Sequence, residues 1–207
     1  MKKNTSDYFL IGLTGGIACG KTKVLRYLSE LGYETFNADE YVHRCLKSDS
    51  FLYNKVLKVF GNNILDSNGE ISRKNLGNLV FLDDKYRLKL NNIVHPIVKK
   101  RVQSWIKECQ LKHKNGVAEI PLLFECGYEN FEWDGIAVVY ANKNKIINRL
   151  KKRGLSEYEA IYRIKSQWNI NDKCKKADIL INGNGNKKEL KETVNKFVQE
   201  WTQERKK

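Results

Sequence analysis

Between residues 8 and 31 the chain passes from a short apolar run, through a segment built around glycine, into a helix-forming stretch. Tyr8-Phe9-Leu10-Ile11-Gly12-Leu13 is almost continuously apolar, the pattern of a strand buried on both faces of a parallel sheet. Gly15-Gly16-Ile17-Ala18-Cys19-Gly20-Lys21-Thr22 follows and fits the pattern G-x-x-x-x-G-K-[ST]. Glycines at those places let successive backbone N–H groups turn inward, and the positive end of the next helix points at the same spot. Such a loop holds phosphate, with Lys21 reaching the β- and γ-phosphates and the Thr22 hydroxyl ligating Mg²⁺. A helix is expected over 21–31, closed by Gly32 as its C-terminal cap, and a second strand over 33–37, ending at Ala38-Asp39. Strand, helix and strand in so short a span commit the chain to a right-handed parallel crossover.

The rest of the sequence alternates in the same way around one exception. From 40 to 114 apolar residues recur at helical spacing, as in Val94, Ile97, Val98, Val102, Trp105 and Ile106, and strand patterns are absent. This reads as a helical insertion with a loop over 61–69 and a bend at His95-Pro96, where proline removes a backbone hydrogen bond. Strands are expected over 117–123, 135–140 and 179–181. Residues 143–175 read as helical, broken at Gly154-Leu155-Ser156, where Ser156 and Glu159 have the capping-box form. A turn over 182–186 and a helix over 189–201 complete a three-layer α/β core with about five short, mostly parallel strands. The expected division is a nucleotide-binding core of 1–39, 115–142 and 177–207, the insertion 40–114, and a basic lid 143–176.

Charge and cysteine usage narrow the class. Lys and Arg number 38 against 24 Asp and Glu, a formal net charge of +14, which favours polyanionic partners without choosing among them. Lysines alternate with glutamates near the C-terminus, whereas Lys143, Lys145, Arg149, Lys151, Lys152 and Arg153 follow one another with no acid between. On a helix Lys145, Arg149, Lys152 and Arg153 come within reach of one face, which suits phosphate contact. Lys2 and Lys3 precede too short an apolar stretch for a signal peptide, and no run approaches the roughly 20 residues of a membrane helix. Five scattered cysteines and three histidines lack zinc-site spacing, so reduced thiols in a cytoplasmic protein are expected. Cys19, at a helix N-terminus beside Lys21, has the placement of a thiol with a lowered pKa; an unreactive buried thiol is the alternative.

Three further positions have chemical interest. Asp39 falls at the carboxyl end of the second strand, where it either takes a proton from an attacking hydroxyl or helps hold Mg²⁺, or else only caps the next helix. His95 beside a proline either faces a cleft or is structural. Pro121-Leu122-Leu123-Phe124-Glu125 closes the third strand without the apolar-run-then-Asp ending of motor and transport ATPases; Glu125 either serves substrate or metal or starts a helix.

Taken in order, these segments resemble the dephospho-coenzyme A kinase family. The resemblance lies in Thr14-Gly15-Gly16-Ile17 with Gly20-Lys21-Thr22, Asn37-Ala38-Asp39, Val94-His95-Pro96, Pro121-Leu122-Leu123-Phe124-Glu125, Arg149 to Arg153, Arg163-Ile164-Lys165-Ser166-Gln167, and Ala177-Asp178 through Gly185. It implies transfer of a phosphoryl group from Mg-ATP to the ribose 3′-hydroxyl of dephospho-CoA, the last step of coenzyme A synthesis. Asp39 is then the general base and Lys21 and Arg149 neutralise the transferring phosphoryl group. Gly15, Gly16, Ile17, Ala18, Cys19, Gly20, Lys21, Thr22, Asn182 and Gly183 hold ATP, and Thr22 the metal. His95, Leu123, Glu125 and Arg163 join Asp39 around the acceptor. Dephospho-CoA is the expected partner, with no nucleic acid or membrane and a monomer or weak homo-oligomer. Asn37 stands where the family usually has Asp, Ala18-Cys19 replaces the common Gly-Ser, and Trp168 to Asp172 departs from a stretch usually rich in Glu and Pro. The competing readings are another small-molecule or nucleoside monophosphate kinase and a basic, nucleic-acid-binding ATPase with the same loop.

Overall fold

The computed structural model describes residues 7–204 apart from residue 49. Lys2, Lys3 and the last three residues of the 177–207 segment lie outside the described residues. In chain order the elements are β1 (Leu10–Gly15), α1 (Lys21–Glu30), β2 (Glu34–Asn37), α2 (Ala38–Cys45), α3 (Phe51–Phe60), α4 (Arg73–Leu82), α5 (Asp84–Leu111), β3 (Gly116–Glu119), β4 (Gly135–Tyr140), α6 (Lys143–Lys151), α7 (Glu157–Lys165), α8 (Ile170–Lys175), β5 (Ile179–Asn182) and α9 (Lys187–Glu204). Two compact units result, one of Met1–Asn37 with Trp105–Lys207, the other of Ala38–Ser104.

The first unit is built on a five-stranded sheet, order β2-β3-β1-β4-β5, with every pairing parallel. β1 lies at its centre and each of its residues is buried, which explains the unbroken apolar run. Leu13, Val24, Leu28, Val139, Leu150, Ile181 and Val194 form the core that joins the sheet to α1, α6 and α9. α1 ends as expected: Gly32 takes φ +87° and Tyr33 N–H returns to the Leu28 carbonyl. The capping box at α7 is complete, with Ser156 Oγ accepting from Glu159 N and the Glu159 carboxylate accepting from Ser156 N. α9 begins two residues ahead of its expected start, because Asn186 Oδ1 accepts both Lys188 N–H and Glu189 N–H and so caps the helix from outside.

β3 differs from expectation in a way that bears on the site. It ends at Glu119 rather than continuing to Leu123. Ile120 N–H still reaches the Leu13 carbonyl, but Pro121 has no N–H to give, and residues 121–127 coil into turns in which Tyr128 N–H bonds the Leu123 carbonyl.

The second unit is helical, as the apolar spacing predicts. Leu52, Val56, Phe60, Ile64 and Leu76 form its own core. Ser50 and Ser72 cap α3 and α4 by accepting from Tyr53 N and Asn75 N. The expected loop over 61–69 contains a short 3₁₀ turn, Asn62–Ile64, and leads to an isolated antiparallel bridge between Leu65 and Ile71. α5 passes through Pro96 as one element, so the proline costs a backbone donor without ending the helix.

Candidate active site

The loop after β1 takes backbone conformations that favour glycine. Gly20 turns into α1 at φ +112°, a conformation strained for residues with a side chain, and Ala18 also sits in the left-handed region at φ +55°. Lys21 is almost wholly buried (7% exposed), and its Nζ donates to the carbonyls of Gly15 at 3.2 Å and Gly16 at 2.9 Å. The ammonium is therefore held at the loop by two of its own carbonyls.

On the β3 side a buried carboxylate meets the foot of the loop. The register sets Glu119 beside Leu13 of β1 and Asn37 of β2. Thr22 Oγ1 donates to Glu119 Oε1 and Asn37 Nδ2 donates to Glu119 Oε2, both at 3.1 Å, while Glu119 is only 4% exposed. Sequence reasoning missed this residue: the strand lacks the Asp ending of motor and transport ATPases, as read, but closes on Glu119 instead. The signal was Val117-Ala118-Glu119 before a strand-ending proline, obscured by running the strand on to Leu123. A threonine hydroxyl and a carboxylate are hard oxygen donors, a set that suits Mg²⁺ better than softer metals. Among the described residues no group of three or more His, Cys, Asp and Glu gathers to cage a metal.

On the opposite side α6 and the turn after β5 close on the loop. Arg149 Nη1 donates to the Ala18 carbonyl at 2.9 Å and to Cys19 at 3.2 Å, and Nη2 to Gly183 at 2.7 Å. Gly183 is required by space: a Cβ there would lie 2.1 Å from the Cys19 carbonyl oxygen. Asn182 Oδ1 accepts Asn184 N–H and holds that turn. Of the basic run, Lys145 bonds the Asn184 carbonyl and Lys151 pairs with Glu157 at 3.3 Å, so the segment's charge is partly engaged within the protein. From the α7–α8 connection, Gln167 Oε1 accepts Ile17 N–H at 3.0 Å. A cavity of about 410 Å³ opens there, lined by Gly16, Ile17, Ile146, Ile164, Gln167 and Trp168.

Several expected site residues have other surroundings. Leu123 is fully buried and faces Gly12, so its side chain belongs to the core. Cys19 is also fully buried. Desolvation raises its thiol pKa, outweighing the opposing pull of Lys21 and Arg149, so the lowered pKa expected from its position does not arise. Glu125 Oε1 is taken by Lys173 Nζ at 2.6 Å and by Trp168 N–H at 3.1 Å. Arg163 is exposed in the last turn of α7. Asp39 and His95 belong to the second unit, Asp39 exposed in the first turn of α2 and His95 half-buried on α5. Burial, helped by Lys99, holds the His95 imidazole below its ordinary pKa.

With the site described, comparisons with known proteins give it a family. A dephospho-CoA kinase from Geobacillus kaustophilus is 39% identical over 92% of this chain and 96% of its own length. Among solved structures, dephospho-CoA kinase from Campylobacter jejuni superposes with a TM-score of 0.68 at 30% identity, covering 94% of this chain and 97% of that one. A Thermus thermophilus protein superposes at 0.76 with 28% identity, covering 93% and 96%. The dephospho-CoA kinase family model matches residues 9–189, a span holding the phosphate loop, Glu119, Arg149 and Gly183 together, and the chain belongs to that family.

Proposed function

We propose that the protein transfers the γ-phosphoryl group of Mg-ATP to the ribose 3′-hydroxyl of dephospho-CoA, giving coenzyme A. The family match across residues 9–189 carries this reading. In this reading the loop and Lys21 bind the β- and γ-phosphates, and Arg149, which bonds Ala18, Cys19 and Gly183, offsets charge on the phosphoryl group in transfer. Thr22 and Glu119 would hold Mg²⁺, which when bound neutralises phosphate charge. Asn37 gives Glu119 a neutral amide donor as neighbour. Asp39 is exposed and two residues beyond Asn37; its carboxylate would take the proton from the acceptor hydroxyl.

In this reading residues 40–114 receive the acceptor, with His95 beside it, and 143–176 act as the lid, with Arg163 on its outer helix. Among the described residues no helix is long and apolar enough to cross a membrane. The reading carries a cytoplasmic location, a small-molecule partner without nucleic acid, and a monomer or weak homo-oligomer. The test is release of ADP from Mg-ATP against dephospho-CoA, AMP, CMP, shikimate and DNA as acceptors or stimulants. Turnover with dephospho-CoA alone, yielding material that co-elutes with coenzyme A, is expected. Turnover only with a nucleoside monophosphate, or only hydrolysis stimulated by DNA, would overturn it.

A further inference from the structure

Glu125 ends in a buried charge pair whose connections lead to the phosphate loop. Lys173 of α8 has a side chain with no exposure; its Nζ lies 2.6 Å from Glu125 Oε1 and donates to the Pro121 carbonyl at 3.2 Å. The same carbonyl accepts the Thr14 hydroxyl at 3.1 Å, tying the pair to the end of β1. Glu125 Oε1 also accepts Trp168 N–H, and the preceding residue is Gln167, whose Oε1 holds Ile17 N–H. The Trp168 ring stacks on Phe124 at 6.3 Å and 9°, with Lys176 Nζ within 6 Å of both ring centroids, so the position of this peptide is fixed by rings as well as by charge. The second carboxylate oxygen, Glu125 Oε2, is buried with no hydrogen-bond partner among the described residues. Oε1, the oxygen that carries both contacts, is thus already engaged within the protein. A buried ion pair is weak support for stability, since neutral replacements of similar volume often hold as well; what it fixes is geometry.

We infer that Glu125 is a positioning residue of the phosphate loop, acting with Lys173 through Trp168 and Gln167 on the Ile17 amide, and not a ligand of the acceptor. The inference rests on the kinase reading above, and its test uses nucleotide binding alone, so that a wrong acceptor would leave it intact. Mg-ADP binding is measured by calorimetry, without acceptor, in three variants: Gln167→Leu, the double Glu125→Gln/Lys173→Met, and all three changes together. The double variant removes both buried charges at once, which avoids the unfolding expected from stranding one of them. Gln167→Leu is expected to weaken ADP binding about fivefold, the effect of one hydrogen bond. The double variant is expected to weaken it similarly, and the triple no further, because residues in one chain of contacts lose their coupling only once. Losses that multiply in the triple variant would overturn the relay, as would unchanged or tighter ADP binding in Gln167→Leu. A lower Tm in the double variant with ADP affinity intact would reduce the pair to a structural role. A raised KM for the acceptor with ADP affinity intact would return Glu125 to the acceptor site.

Discussion

Gly183→Ala tests whether the contact between the β5–α9 turn and the phosphate loop positions the loop. The added methyl would stand 2.1 Å from the Cys19 carbonyl oxygen and 3.1 Å from that of Tyr140, both backbone atoms that cannot rotate away. Ordinary contact begins near 3.4 Å, so the turn and the loop must part by about 1.3 Å. Arg149 spans that seam, holding Cys19 and Gly183 with its two Nη atoms, and cannot keep both bonds once it opens. Overpacking of this kind costs about 1–3 kcal/mol, which for a chain of this size lowers Tm by roughly 2–12 °C. A displacement near 1 Å at a phosphoryl-transfer site reduces turnover about 100-fold. Steady-state kcat and KM for Mg-ATP and dephospho-CoA, together with a thermal melt, measure both effects. If Gly183→Ala retains kcat/KM within about threefold of the parent and its Tm is unmoved, the seam does not position the loop and the reasoning fails.

Other consequences are open to measurement. Glu119→Gln keeps the shape of the side chain but removes its charge; kcat should fall about 10- to 100-fold, and Mg²⁺ should lose its effect on ADP affinity in calorimetry. A variant that still responds to Mg²⁺ would dismiss Glu119 as part of the metal's surroundings. His95 has a folded pKa below its ordinary 6.5, so the unfolded chain takes up the proton first as pH falls. Its contribution to stability is present above about pH 6.5 and declines below it, so Tm should drop between about pH 7 and 5.5, with a shallower drop in His95→Gln. An identical pH profile in that variant would exclude His95 as the source. Cys19, buried with a raised pKa, should resist iodoacetamide in the folded protein while the partly exposed Cys45 and Cys126 are labelled. Peptide mass spectrometry that finds Cys19 labelled as fast as those two would contradict its burial.

What the sequence revealed, and what it hid, divides along a physical line. The phosphate loop, β4, the Gly32 cap and the Ser156–Glu159 capping box are local: each is set by residues within a few positions of one another, and each stands where the spacing predicts. The partners of Glu119 are different. Thr22 and Asn37 lie 97 and 82 residues away in the chain, and only the docking of β3 between β1 and β2, beside the start of α1, brings them to one carboxylate. The surroundings of Leu123 and Cys19 are equally non-local. Both have neighbours in sequence that suggest function, and in both burial decides the outcome. Pro121 is the instructive case, because its missing N–H was visible in the sequence and was enough to end β3 before the turn that buries Leu123.

The strand order also dictates when the sheet can be completed. β1 and β2 are close in sequence, yet β3 lies between them, so the two do not pair with each other in this fold. During synthesis both edges wait for a strand that emerges only after residues 38–115 have been made. Closing a free loop of that length costs roughly 4 kcal/mol of chain entropy before any strand pairing is gained. The cost falls if Ala38–Ser104, which has its own core, collapses first and shortens the free chain. Glu119, the last residue of β3, thus reaches Thr22 and Asn37 only when the final slot of that half of the sheet is filled. A nascent chain stalled before that point carries the complete phosphate-loop sequence but not the carboxylate at its foot.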